Sequence, residues 1–183
     1  MNKYLLSFIF LSIFLFSSCS QQAPQTEQFI TEEWAVREKA YQTALLYLEE
    51  DTEYEWGGQD PLRTIKIDCS GLVVMCYTYA VENSVFYLPF SDAASYDLYQ
   101  KYSYPVEKPE RGDVVFMGNT QTSEVSHIAV FEKEENGLFW FIDSTLKDSD
   151  RDGINDINGV TRRSYDKQGS PIISFGRIIL LKK

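Results

Sequence analysis

The sequence predicts an α+β domain from two observations: apolar residues recur at helical spacing over roughly the first half of the chain, then short β-rich runs separated by turn residues take over. Thr31 followed by Glu32 and Glu33 reads as a helix start, and Trp34, Tyr41, Ala44, Leu45 and Leu48 continue one face through Glu50. Asp68 is placed to cap a second helix from Cys69 to about Glu82, with Leu72, Val73, Cys76 and Ala80 on the face that Cys69 opens. A third helix is expected from Ser91, as its cap, to about Tyr102. Strands are expected at Asp113–Met117, His127–Phe131, Leu138–Ile142 and Arg177–Leu181, making a mostly antiparallel sheet.

A chain of 183 residues has room for one domain with a real core, and aromatic residues at 15% suit a folded domain with a partly polar groove. The net charge of −10 excludes nucleic acid as a partner, because phosphate binding needs a basic face. A monomer is expected.

The first eighteen residues read as an export signal: Lys3, the apolar run Tyr4–Phe16, then Ser17 and Ser18 before Cys19. As a helix that run reaches about 20 Å, short of the roughly 30 Å of a bilayer core. Leu15-Phe16-Ser17-Ser18-Cys19 resembles the lipobox of bacterial lipoproteins, with Phe16 where Leu is usual. The resemblance implies lipidation of Cys19, which becomes the mature N-terminus, and a membrane-anchored lipoprotein of the bacterial envelope (periplasm or outer membrane). The alternative is a soluble secreted protein cleaved nearby. Residues 19–28 are then anchor and tether, without apolar periodicity, and 29–183 the domain.

A Cys69–Cys76 disulfide is excluded on one helix, where the two Cα atoms lie about 10 Å apart against a limit of about 7 Å. Cys69 is thus expected to be a free thiol at the first turn of a helix, where unsatisfied N–H groups favour the thiolate. Its alternative is a small buried apolar residue. The chain has one histidine, so a Cys–His mechanism must use His127. Asp143 can lie beside it if the two strands are antiparallel neighbours, and can then orient the imidazole. Alone, His127 would read as a surface or structural residue and Asp143 as a turn carboxylate.

These residues fall in a series: Tyr54-x-Trp56-Gly57-Gly58, Asp68-Cys69-Ser70-Gly71-Leu72, Pro89, Arg111-Gly112-Asp113-Val114-Val115-Phe116, Ser126-His127-Ile128-Ala129-Val130 and Phe141-Ile142-Asp143-Ser144-Thr145. The series resembles the NlpC-type family of cell-wall endopeptidases, over roughly Trp34 to Leu181. The resemblance implies a papain-like fold in which Cys69 attacks an amide, His127 moves the proton and Asp143 orients the imidazole. The family more often has His at the third position. It also implies Tyr54 near the nucleophile, sharing the oxyanion with the Cys69 backbone N–H, and Asp68 and Ser70 flanking it as substrate contacts, with Asp68 also read as the helix cap. Trp56 is expected to pack in the core beside the Gly-Gly turn.

The substrate so implied is the peptidoglycan stem, cut between D-γ-glutamate and the following diamino acid, as intact wall or as free muropeptides. No cofactor is needed for this chemistry. Two other readings are a non-catalytic wall-binding lipoprotein on the same fold and a papain-like amidase or acyltransferase. Finally, Asp148, Asp150 and Asp152 fill positions 1, 3 and 5 of a calcium-loop pattern, with Gly153 at 6, Ile154 at 7 and Asp156 at 9. Gly159 stands at position 12, where a full loop places Glu. The incomplete match reads as an acidic solvated turn between strands, with a structural calcium site as the alternative.

Overall fold

The computed structural model describes residues 23–62, 66–148, 150–168 and 170–183, with side chains from Ile30 onward. The expected signal peptide 1–18 and Cys19 lie outside the described residues. Helices α1 (Ala23–Glu49), α2 (Cys69–Val81) and α3 (Ser95–Lys101) are joined by eight strands: β1 (Phe86–Tyr87), β2 (Ser103–Pro105), β3 (Val114–Asn119), β4 (Glu124–Glu135), β5 (Leu138–Lys147), β6 (Ile157–Asp166), β7 (Ile172–Ile178) and β8 (Leu181–Lys182). Six strands form one antiparallel sheet in the order β2-β7-β3-β4-β5-β6, and β1 pairs with β8 apart from it. The α+β expectation holds.

One face of the sheet buries Val114, Phe116, Ile128, Val130 and Ile142 against Val36, Ala40, Ala44 and Tyr47 of α1 and Leu72, Val73 and Cys76 of α2. The opposite face carries a second, smaller core of Val115, Met117, Ala129, Phe131 and Phe141. In this sheet His127 pairs with Met117 and Asp143 with Thr161.

Four expectations are corrected. Helix α1 starts at Ala23, so much of the expected tether is helical; Pro24 is tolerated in a first turn, where its missing N–H has no partner to lose. Trp34 is 49% exposed, the buried stripe running instead through Val36, Ala40, Tyr41, Ala44 and Tyr47. Helix α3 starts four residues after Ser91, with Ala94 as its N-cap and no side-chain cap. The Arg177–Leu181 run is split between β7 and β8. Strand β6 was not foreseen.

Candidate active site

Helix α2 begins at Cys69 because Asp68, in an extended conformation, caps it: Oδ1 accepts from the Gly71 N–H at 2.6 Å and from the Ser70 hydroxyl at 3.0 Å. The other oxygen accepts from the Gly57 N–H at 2.9 Å, tying the Trp56-Gly57-Gly58 turn to the helix start. Both Asp68 oxygens are thus engaged within the protein, and the residue is 8% exposed. Gly71 is needed here, since a Cβ would come within 2.1 Å of the Gly58 carbonyl oxygen. Cys69 and Cys76 are both free thiols. Cys76 is fully buried in the core and burial pushes its thiol up, whereas Cys69 retains 6% exposure at the floor of a cleft of about 200 Å³.

That cleft is lined by Trp56, Gly58, Cys69, Ser70, Asp92 and Ser126, among others. Trp56 is 84% exposed at its rim, not packed in the core as expected. Ala94 and Ser95, at the start of α3, also line it.

His127 enters from the start of β4, paired with Met117 next to a bulge at Met117/Gly118. A Cβ at Gly118 would lie 2.0 Å from the Glu124 carbonyl oxygen, so glycine allows this irregular pairing. Bulges of this kind re-aim neighbouring side chains. His127 Nε2 lies 2.5 Å from Asp143 Oδ2, and the Cys69 side chain is near enough to the imidazole to influence its protonation. With Nε2 engaged, the nitrogen left for Cys69 is Nδ1. Burial alone would lower the imidazole pKa, but the bond to Asp143 and the nearby Cys69 outweigh it and raise it to about 9. Asp143 is fully buried; burial favours its neutral form, yet hydrogen bonds from His127 and Arg163 hold it below the usual carboxylate range.

Tyr54 is half-buried on the same side, its backbone N–H bonded to Asn158 Oδ1 of β6 at 2.9 Å. Its hydroxyl pKa is pushed up to about 12, by burial first and then by Cys69 and Asp68, so it keeps its proton. The structure therefore brings Cys69, His127, Asp143, Tyr54, Asp68 and Ser70 to one place. Arg163 was missed: it donates to Asp143 with both Nε, at 3.1 Å, and Nη2. Its only sequence signal would have been a cation on a strand beside β5, and β6 was itself unforeseen.

The acidic loop is separate. Asp148, Asp150 and Asp152 place ligand oxygens within 4.8 Å of one another, while Ile154 and Asp156, the other two expected ligands, are not in that cluster. Ile154, at 69% exposure, could offer only its backbone carbonyl.

Among solved structures, NlpC1 from Trichomonas vaginalis superposes with a TM-score of 0.54 at 20% identity, over 80% of this chain and 45% of that one. The peptidoglycan hydrolase RipB from Mycobacterium tuberculosis gives a TM-score of 0.49 at 20% identity, over 81% of this chain and 67% of that one. A Staphylococcus aureus protein described as similar to lipoprotein, NLP/P60 family, gives 0.48 at 22% identity, over 79% and 41%. The chain thus spans less than half the length of two of these neighbours. No curated protein matches it. Residues 51–168, well over half of the chain and every candidate site residue of the domain, match the NlpC/P60 family, and the chain belongs to that family.

Proposed function

We propose that this protein is a thiol hydrolase of peptidoglycan stem peptides, cutting the amide between D-γ-glutamate and the diamino acid. The observation that carries the reading is the imidazole of His127, held at 2.5 Å by Asp143 on one nitrogen, with Cys69 near enough to act on its protonation. Family membership supports the polymer as substrate.

In this reading the Cys69 thiolate, at the positive end of α2, adds to the scissile carbonyl carbon. The developing oxyanion is met by the Cys69 backbone N–H, which has no partner within the helix, and by the Tyr54 hydroxyl, which stays protonated. The His127 imidazolium gives its proton to the departing amine, leaving a thioester on Cys69. His127, now neutral, takes a proton from water as the water oxygen attacks the thioester carbonyl, and the carboxylic acid leaves while the thiolate is restored. Asp143 fixes the ring tautomer. Ser70 lines the cleft beside the nucleophile, and Asp68 acts by holding the turn and helix start together. Lipidated Cys19 would hold the domain on the envelope membrane, close to its substrate.

Protein lacking residues 1–19 should release shortened stem peptides from peptidoglycan digests, identified by mass spectrometry, and Cys69→Ala should abolish the release. Absence of products across several wall chemistries overturns the reading; product cut at another bond redirects it to an amidase.

A further inference from the structure

Arg163 lies on β6 directly across from Phe141, one pleat from Asp143 on the same face. Its Nη2 reaches the Asp143 Oδ2 that also faces His127, and its Nε reaches Oδ1 at 3.1 Å. The remaining nitrogen, Nη1, donates to the Tyr165 hydroxyl at 3.3 Å, and the guanidinium sits over the Phe141 and Tyr165 rings at 5.6 and 5.7 Å. Arg163 is 13% exposed and the carboxylate it grips is fully buried.

We propose that Arg163 is a positioning residue that keeps Asp143 ionised and aimed at His127 through the whole reaction cycle. The proposal rests on the reading of Cys69, His127 and Asp143 as the reacting set.

The need for such a residue follows from the proton cycle. While His127 is an imidazolium, Asp143 has a cationic partner there. Once the ring has given its proton to the leaving amine, that partner is neutral. A buried carboxylate left without a countercharge would hold the proton on the His127–Asp143 pair and hinder its transfer. Arginine does not titrate in this range, and its planar fork fits a carboxylate with two parallel bonds, so the countercharge persists when the imidazolium is gone. Arg163 also shares Oδ2 with His127 and repels the imidazolium, so it limits how strongly Asp143 holds the ring protonated.

The ionisable groups around the pair are Cys69 and Asp68 at the start of α2, Tyr54 from the preceding loop, His127 on β4, and Arg163 and Tyr165 on β6. Among these described residues Arg163 is the one fixed cation. Removing it leaves His127 as the sole cationic partner of Asp143, and the imidazolium should then persist to higher pH.

The single histidine makes this measurable, because one imidazole NMR signal reports it without any substrate. In Arg163→Met the His127 midpoint should rise by about one pH unit, and kcat on a stem peptide should fall at least 10-fold. Arg163→Lys keeps the charge and should stay near the wild-type midpoint while recovering part of kcat. Arg163→Gln, closer in polarity, is titrated alongside in case the Met variant does not fold. A folded Met or Gln variant with an unmoved His127 midpoint overturns the proposal. Failure of the hydrolase reading appears separately, as a wild type that turns over no stem peptide.

Discussion

The buried Ser144 hydroxyl donates to the Ile67 carbonyl oxygen at 2.6 Å, joining the strand that carries Asp143 to the segment that enters the helix of Cys69. Ser144 follows Asp143 directly and Ile67 lies two residues before Cys69, so this bond ties the two sides of the site together.

Ser144→Ala should leave the Ile67 carbonyl buried without that donor and destabilise the domain by about 1–3 kcal/mol in denaturant unfolding. It should also lower kcat more than it changes KM, because the shift falls on the relative placement of Cys69 and His127 and not on the cleft wall. A destabilised variant with wild-type kcat would reduce the bond to a structural one.

The pH dependence follows from His127. Its folded pKa of about 9 lies above the ordinary 6.5, so its contribution to stability is fully present below pH 6.5 and is lost as pH rises through about 9. Asp143 runs the other way: with a lowered pKa, its contribution is present above its ordinary 3.8 and is lost as pH falls through the folded value. The stability gap between wild type and His127→Gln should therefore narrow between pH 6.5 and 9, and turnover should decline above about 9 as the acid for the leaving amine disappears. A gap that stays constant over that window would contradict this.

What was legible in the sequence follows the range of the forces involved. Asp68 and Cys69 could be placed because capping is local: an Asp before an apolar helix face names its own partner three residues on, and Gly71 is where the bond forms. His127 and Asp143 could be paired because neighbouring strands of a hairpin bring them together and no other histidine competes. Arg163 could not, because Ile157–Asp166 reads as a polar segment. Its place at the sheet edge is fixed by pairing with β5 and by an arginine held between a carboxylate and two rings, all tertiary terms. The aromatic residues Trp34 and Trp56 failed for a related reason: their size suggests burial, and only the fold tells core from rim.

Trp56 gains a testable role from that correction. It is held at the mouth of the cleft by the turn that Asp68 ties to α2, and its ring packs little of the protein. Trp56→Ala should leave unfolding stability within about 0.5 kcal/mol of wild type and raise KM for stem peptides about 2- to 10-fold, the scale of one lost aromatic contact. A large loss of stability with unchanged KM would return Trp56 to a packing role.

Asp148 accepts from the backbone N–H groups of Arg151 at 2.6 Å, Asp152 at 3.2 Å and Gly153 at 2.7 Å, and Asp152 accepts from Ile154 at 2.8 Å, so the acidic loop is folded around its own carboxylates. Three such groups within 4.8 Å repel one another, and a hard divalent cation would relieve this with the oxygen ligands it prefers. Calcium accepts irregular coordination better than magnesium, which demands near-octahedral geometry. Calcium should therefore raise the melting temperature, EDTA should reverse the rise, and magnesium should do less. At 100 times its Kd the stabilisation would be about 2.7 kcal/mol. Asp150→Asn with Asp152→Asn should remove the calcium response while raising the metal-free melting temperature, because part of the repulsion goes with the charges. An unchanged melting temperature at millimolar calcium would leave the loop as an acidic turn.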